Sequence, residues 1–216
     1  MNYDYIDTDE GLGEFCDAIA GVPSIALDTE FVSEDRYFPE LCLVQVAAGE
    51  RHAVIDSLAI AHLDPFWRLV ATPGRTVIVH AGREEHRFCR RAVGQGLATW
   101  FDTQIASGLI GLEYPASYAT LIQKLLGKSL GKGETRTDWR RRPLSARQLE
   151  YALQDVVYLE PLHGEISSRL KTLDRDAWLA AELAAYQDRW EQEETAERWR
   201  RVAGISGLTA RQLAVL

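Results

Sequence analysis

Asp28 and Glu30 stand one residue apart, after the apolar run Ile25-Ala26-Leu27 and before an aromatic, Phe31. Side chains two apart on a strand point to the same side. Two acids on one side of a buried strand repel each other and must be desolvated, which is costly unless a cation lies between them. Magnesium and manganese take oxygen ligands, so the pair points to a divalent-metal site at a strand end. A D-x-E triplet alone is more often a solvated strand face. The apolar run before this one and the acids downstream set it apart.

Three further groups could join that chemistry. His80-Ala81-Gly82-Arg83-Glu84-Glu85 reads as a strand end turning into a helix N-terminus. The helix dipole favours carboxylates there, so Glu84 and Glu85 by themselves read as helix-start acids. Tyr151 and Asp155, four residues apart, share one helix face and border the apolar positions Ala152, Val156 and Leu159. Such a pair either hydrogen-bonds internally or lines a site. Asp102, between a strand and a helix in Phe101-Asp102-Thr103, reads as an N-cap or bracing group.

The elements that must position these residues follow from periodicity and punctuation. Strands are predicted over Tyr3–Ile6, Ser24–Thr29, Leu41–Ala48, His52–Ile55, Thr76–Val79 and Thr99–Asp102. Helices are predicted over Gly11–Ala20, Asp64–Ala71, Gly82–Val93, Thr103–Leu109 and Ser117–Leu126. Pro143-Leu144-Ser145 opens the longest helix, with Ser145 and Gln148 as a capping box and Leu149, Ala152, Leu153, Val156 and Leu159 as its core face. Further helices are expected over Trp178–Trp190 and Glu197–Val202. Thr209 to Gln212 forms a second capping box, and the chain stops as that helix begins, so the native protein is expected to continue. The order of elements describes an α/β domain over residues 1–170 with a helical C-terminal extension over 171–216.

Composition narrows the class. The 216 residues are 46% hydrophobic and 26% charged, as in ordinary globular proteins. No apolar run is long enough to span a membrane, and the first residues lack the regions of a signal peptide. Cys16, Cys42 and Cys89 are odd in number and far apart, which suits buried free thiols in a cytoplasmic protein and gives zinc no support. A net charge of −8 argues against coating nucleic acid by bulk attraction. The charge is unevenly spread, however. Lys124, Lys128, Lys132, Arg136, Arg140, Arg141 and Arg142 face only Glu134 and Asp138 in the same stretch, whereas 174–197 is strongly acidic. The basic stretch could hold a polyanion.

Taken together, LDTEF, HAGREE, FDTQIA, ETRTDWRRRPL and YALQDVVYL resemble the bacterial ribonuclease D family, DEDD 3′–5′ exonucleases with a tyrosine in the last motif. The resemblance runs from the first strand to the end of the chain, where Trp199–Leu216 is similar to the entry of a helical nucleic-acid-binding domain. It implies a ribonuclease-H-like fold, a mixed five-stranded sheet flanked by helices. It also implies a metal-dependent exoribonuclease that trims RNA from a single-stranded 3′ end, of the transfer-RNA-precursor type, releasing 5′-mononucleotides.

By the same resemblance, Asp28, Glu30, Glu85 and Asp155 hold two divalent cations, Mg2+ or Mn2+, and Tyr151 positions or helps deprotonate the attacking water. Glu85 departs from the pattern, because the family places an aspartate five residues after the histidine. Its longer arm must bend or push its helix outward. Phe31, His80, Arg136, Trp139 and Arg140 are the expected substrate contacts; stacking on Phe31 would read any base, and Trp139 is equally an anchor for its loop. A DNA exonuclease of the same fold, and a nucleic-acid-binding protein weakened by Glu85, are the alternatives. A monomer is expected.

Overall fold

The computed structural model describes residues 2–34, 38–131, 137–195 and 205–213. The chain divides into two compact units, Met1–Leu183 and Ala184–Leu216. The first holds one six-stranded sheet. Its strands are β1 (Asp4–Ile6), β2 (Ser24–Val32), β3 (Glu40–Ala48), β4 (Arg51–Asp56), β5 (Thr76–Val79) and β6 (Trp100–Asp102), in the spatial order β1-β4-β3-β2-β5-β6. The sheet is mixed: β2, β3 and β4 run antiparallel, while β1 pairs with β4, β5 with β2 and β6 with β5 in parallel. The expected ribonuclease-H-like α/β architecture is present. The implied count of five strands is corrected to six, because Asp4–Ile6 pairs beside β4 as a short edge.

Nine α-helices are assigned among the described residues. Helices α1 (Asp9–Ile19), α2 (Asp64–Ala71) and α3 (Arg83–Val93) pack in sequence against one another. Helices α4 (Thr103–Leu109), α5 (Tyr118–Leu126), α6 (Ala146–Val157) and α7 (Leu159–Thr172) form a second group centred on α7. Helix α6 lies across β2, β3 and β4, and α3 meets β2. The core is the filling between sheet and helices, with Leu12, Ile19, Ile25, Leu27, Leu43, Ile55, Phe66 and Ile78 fully buried.

The expected capping box forms: the Ser145 hydroxyl accepts from the Gln148 amide while Gln148 Oε1 accepts from the Ser145 backbone. The helix it opens is shorter than expected, however, and breaks at Tyr158. Pro161 has no N–H for the Val157 carbonyl and its ring crowds that oxygen, so the chain restarts as α7 with Pro161 in its first turn. The longest helix is instead α8 (Asp176–Thr195). Residue 170, the expected domain boundary, falls inside α7.

In the second unit, α9 (Ala210–Leu213) is capped by Thr209, whose hydroxyl accepts from the Gln212 amide. The helix expected over Glu197–Val202 lies outside the described residues. No helix among the described residues is long and apolar enough to cross a membrane. All three cysteines are free and buried.

Two features place a site beside β2. Strand β5 pairs with β2 only as far as Ala26, so Asp28 and Glu30 lie beyond the end of β5, where the chain turns into α3. The pairing of β2 with β3 also shifts register between Glu30 and Phe31, where β2 carries an irregularity. Such bulges re-aim side chains next to active sites.

Candidate active site

The turn between β5 and α3 is set by Asp102, at the start of α4. Its carboxylate accepts from four backbone amides: Ala81 (3.2 Å) and Gly82 (2.9 Å) in the turn, Gln104 (2.8 Å) and Ile105 (3.2 Å) in α4. One acid thus caps α4 and holds the turn, the bracing role its position suggested. Ala81 takes a left-handed φ of 55°, a conformation costly for a residue with a Cβ. Gly82 is needed because a Cβ there would come within 2.3 Å of Val79.

Glu85 sits in the first turn of the helix so placed and is only 5% exposed. Strand alternation puts Asp28 and Glu30 on one side of β2 and Thr29 on the other. The Thr29 hydroxyl donates to Glu85 Oε1 at 2.5 Å, and the same carboxylate accepts from its own backbone N–H. Glu85 is thus tied to β2 through Thr29. Glu84 turns the other way, to Arg87 (2.9 Å). Helix α6 brings Asp155 and Tyr151, with the Tyr151 hydroxyl hydrogen-bonded to the Asp155 carboxylate.

These carboxylates share one electrostatic environment. Burial, then Glu85, Asp155 and Glu30, push Asp28 well above the ordinary carboxylate range. Burial, then Asp155 and Glu85, push Glu30 up to about 8. Glu85 and Asp155 are each raised to about 7, chiefly by burial. Burial and the surrounding acids raise the Tyr151 phenol, so it stays protonated and serves as a donor. Among the described residues no group of three or more His, Cys, Asp or Glu is arranged to hold a metal ion. Asp28 and Glu30 nevertheless lie close enough to the other acids to be raised by them.

Below Glu30 a groove of about 560 Å³ opens, lined by Phe31, Ser33, Glu34, Asp138, Trp139 and Arg140 among others. Phe31 is half-buried and meets Phe88 edge-on at 5.7 Å. Arg140 is about half exposed and pairs with Asp138 (2.9 Å). Trp139 is 5% exposed, stacked at 6.1 Å on Tyr151 and buried with Val32, Leu43, Ala152 and Leu153; it is an anchor whose edge borders the groove.

His80, expected as a substrate contact, is engaged by the protein itself. Thr103 Oγ1 lies 2.9 Å from its Nδ1, the Ala116 backbone bonds the ring, and Tyr118 packs on it at 5.5 Å. Burial lowers it to about 4, so it is a neutral brace. Arg136 lies outside the described residues. Arg142, in the basic stretch read as a polyanion contact, is an internal clamp: Nε and Nη2 grip Asp56 (2.5 and 2.6 Å), and Nη1 and Nη2 donate to the Trp139 and Cys42 carbonyls.

Sequence reasoning missed three neighbours. Thr29 could have been found from strand alternation. Gln45, in register opposite Asp28, is fully buried and its side-chain amide has no hydrogen-bond partner. Tyr118 lies within electrostatic reach of Asp155 and Asp28, and no local sequence signal marks it.

A family model described as 3′–5′ exonuclease matches residues 3–171. Ribonuclease D of Escherichia coli K12 is 36% identical over 220 residues, spanning 100% of this chain and 58% of that protein. Ribonuclease D of Acidiphilium cryptum is 37% identical over 213 residues, 98% of this chain and 54% of that one. This chain thus spans little more than half the length of the curated relatives it matches. The E. coli ribonuclease D crystal structure superposes with a TM-score of 0.85 at 35% identity, over 99% of this chain and 57% of that one. Brucella melitensis NrnC with bound Mg2+ gives 0.77 at 25% identity, over 94% and 98%. With its fold, its motif residues and a match over most of its length in agreement, the chain belongs to the 3′–5′ exonuclease family, and the relatives it resembles from end to end are ribonucleases D.

Proposed function

We propose that this chain is a divalent-metal-dependent 3′–5′ exoribonuclease that trims RNA from a single-stranded 3′ end and releases 5′-mononucleotides, on substrates of the transfer-RNA-precursor type. The carrying observation is that Asp28, Glu30, Glu85 and Asp155 are brought together buried, each with its proton affinity raised by burial, and Asp28 and Glu30 further raised by the other acids. An all-oxygen, like-charged donor set suits hard dications, and NrnC, of the same fold, has been seen with Mg2+ and with pGG. Two such ions, Mg2+ or Mn2+, held by these four acids would supply a hydroxide near neutral pH and stabilise the leaving oxygen.

The rest falls to the chain itself. Tyr151, protonated and bonded to Asp155, orients the attacking water through its hydroxyl and is not a base. Phe31 offers a face for the terminal base, and Arg140 a cation for the strand. Residues 171–216 are proposed to begin a nucleic-acid-binding extension, and a cytoplasmic monomer is the expected working form.

One observation favours a second reading. Glu85 Oε1 is already engaged by Thr29, which would weaken metal binding and leave a nucleic-acid binder with little catalysis. Digestion of 3′-overhanging RNA and DNA oligonucleotides in Mg2+ or Mn2+ decides between them. Stepwise mononucleotide release from RNA is expected, with Mn2+ supporting more activity than Mg2+, and Glu85→Asp preserving or improving the Mg2+ rate. Glu85→Gln should be severely impaired and Glu84→Gln tolerated. Preferential DNA digestion, or RNA binding with no metal-dependent cleavage, would remove the exoribonuclease reading.

A further inference from the structure

Tyr118 sits on α5, far from every motif, yet its hydroxyl enters the backbone ladder of the helix that carries Asp155. In an unbroken helix the Tyr158 N–H would donate to the Gln154 carbonyl, four residues back. Here the Tyr118 hydroxyl stands between them. It donates to Gln154 O at 3.2 Å and accepts from Tyr158 N at 3.3 Å. Side chains inserted into the ladder in this way are a recognised cause of helix kinks. Pro161 makes a break in this region necessary, and at that break the Tyr158 N–H points to Val156 O and to the Tyr118 hydroxyl, which in turn holds Gln154 O. Asp155 is the residue immediately after Gln154, inside the turn that the hydroxyl spans.

The ring of Tyr118 is itself fixed. It packs on His80, and His80 is bonded to Thr103 and to the Ala116 backbone. A connected path thus leads from the β5–α3 turn through His80 and Tyr118 to the turn holding Asp155. This path also gives the histidine of the HAGREE segment a physical role that substrate contact did not.

We infer that Tyr118 is a positioning residue: its hydroxyl, by bridging Gln154 O and Tyr158 N, sets where the Asp155 carboxylate stands. The inference rests on the proposed exonuclease reading for its kinetic consequences but not for its structural one. Tyr118 touches no reacting atom. Groups that orient ligands in this indirect way typically cost 10- to 100-fold in metal affinity or activity when removed.

Tyr118→Phe keeps the ring on His80 and removes only the bridge. The expected result is a kcat lower by roughly 10- to 100-fold with KM for RNA nearly unchanged, and a higher Mn2+ concentration for half-maximal thermal stabilisation. Thermal stability in chelator should change little, and hydrogen exchange at the Tyr158 amide should quicken. A variant with kcat and Mn2+ response within about twofold of the parent overturns the inference. A variant that melts much earlier, with the loss of activity following the loss of fold, also overturns it, because the role is then only structural. Should the parent protein cleave nothing, the exonuclease reading fails by itself. The Mn2+ titration and the Tyr158 exchange rate would still decide the role of Tyr118.

Discussion

Two sets of buried carboxylates in this fold behave in opposite ways. Around Asp56, a carboxylate on the end of β4 is gripped by Arg142, receives the Tyr5 hydroxyl at 2.6 Å and accepts the Leu58 amide at 3.1 Å. Burial works to raise its proton affinity, but these partners outweigh burial and hold Asp56 below the ordinary carboxylate range. Around Asp28 burial raises every carboxylate, and other acids reinforce it at Asp28, Glu30 and Glu85. The first cluster closes the fold by joining the loop before α6 to the sheet. The second is a repulsive arrangement relieved by bound protons or by a cation, and buried carboxylates perturbed in this way mark a candidate functional site.

The sharpest way to break the comparison is to neutralise one acid in each cluster's setting. Asp155→Asn removes charge from the repulsive cluster. Cleavage should fall by roughly a thousandfold or more, since several kcal/mol of transition-state stabilisation is at stake, while the metal-free protein melts a few degrees higher. If the variant turns over at a near-normal rate, the carboxylates are not the reaction centre.

Arg142→Met does the reverse. It leaves Asp56 buried without its cation, which should cost about 3 kcal/mol and lower the melting temperature by roughly 6 to 12 °C. Melting curves for both variants in chelator give the contrast directly: one should rise and the other fall.

A smaller effect sharpens the same point through pH. Glu30 at about 8, and Glu85 and Asp155 at about 7, bind protons more tightly folded than unfolded, where carboxylates titrate near 4. Their contribution to stability is therefore full below about pH 4 and drains away as pH rises toward 8. Asp56 has the opposite sign: its contribution is present above about pH 4 and is lost on further acidification. Melting temperature against pH in chelator should fall between pH 5 and 8, and Mn2+ should flatten that fall. A slope equally steep in Asp155→Asn would show that other groups cause it.

The smallest effect belongs to Arg140, exposed and paired with Asp138. Arg140→Ala should leave the melting temperature nearly unchanged and reduce the salt dependence of RNA binding by about one unit of slope. An unchanged slope would leave Arg140 as a partner of Asp138 alone.

Much of the architecture was legible locally. The Ser145 and Thr209 caps, the apolar faces of α1 and α2, and the strands β1 to β6 all follow from spacings of two, three or four residues, and each is present. The break before α7 is also written in the chain, at Pro161, although the apolar periodicity runs across it through Leu159 and Leu162. The implied five strands failed for a different reason, since whether a three-residue edge pairs depends on the neighbour it finds.

What the sequence determined by itself is the inventory: which acids, which helix and strand each rides on, and where those elements start. Those properties depend on groups a few residues apart, and local backbone geometry settles them. What only the tertiary structure decided is which groups meet. Thr29 finds Glu85 across 56 residues, Arg142 finds Asp56 across 86, and Tyr118 finds Gln154 across 36. Such pairings are chosen by how helices pack on a particular sheet. That is why His80, read as a substrate contact, is held by Thr103 and Tyr118, why Trp139, read equally as a contact and an anchor, packs on Tyr151, and why Arg142, in the stretch read as a polyanion contact, grips Asp56.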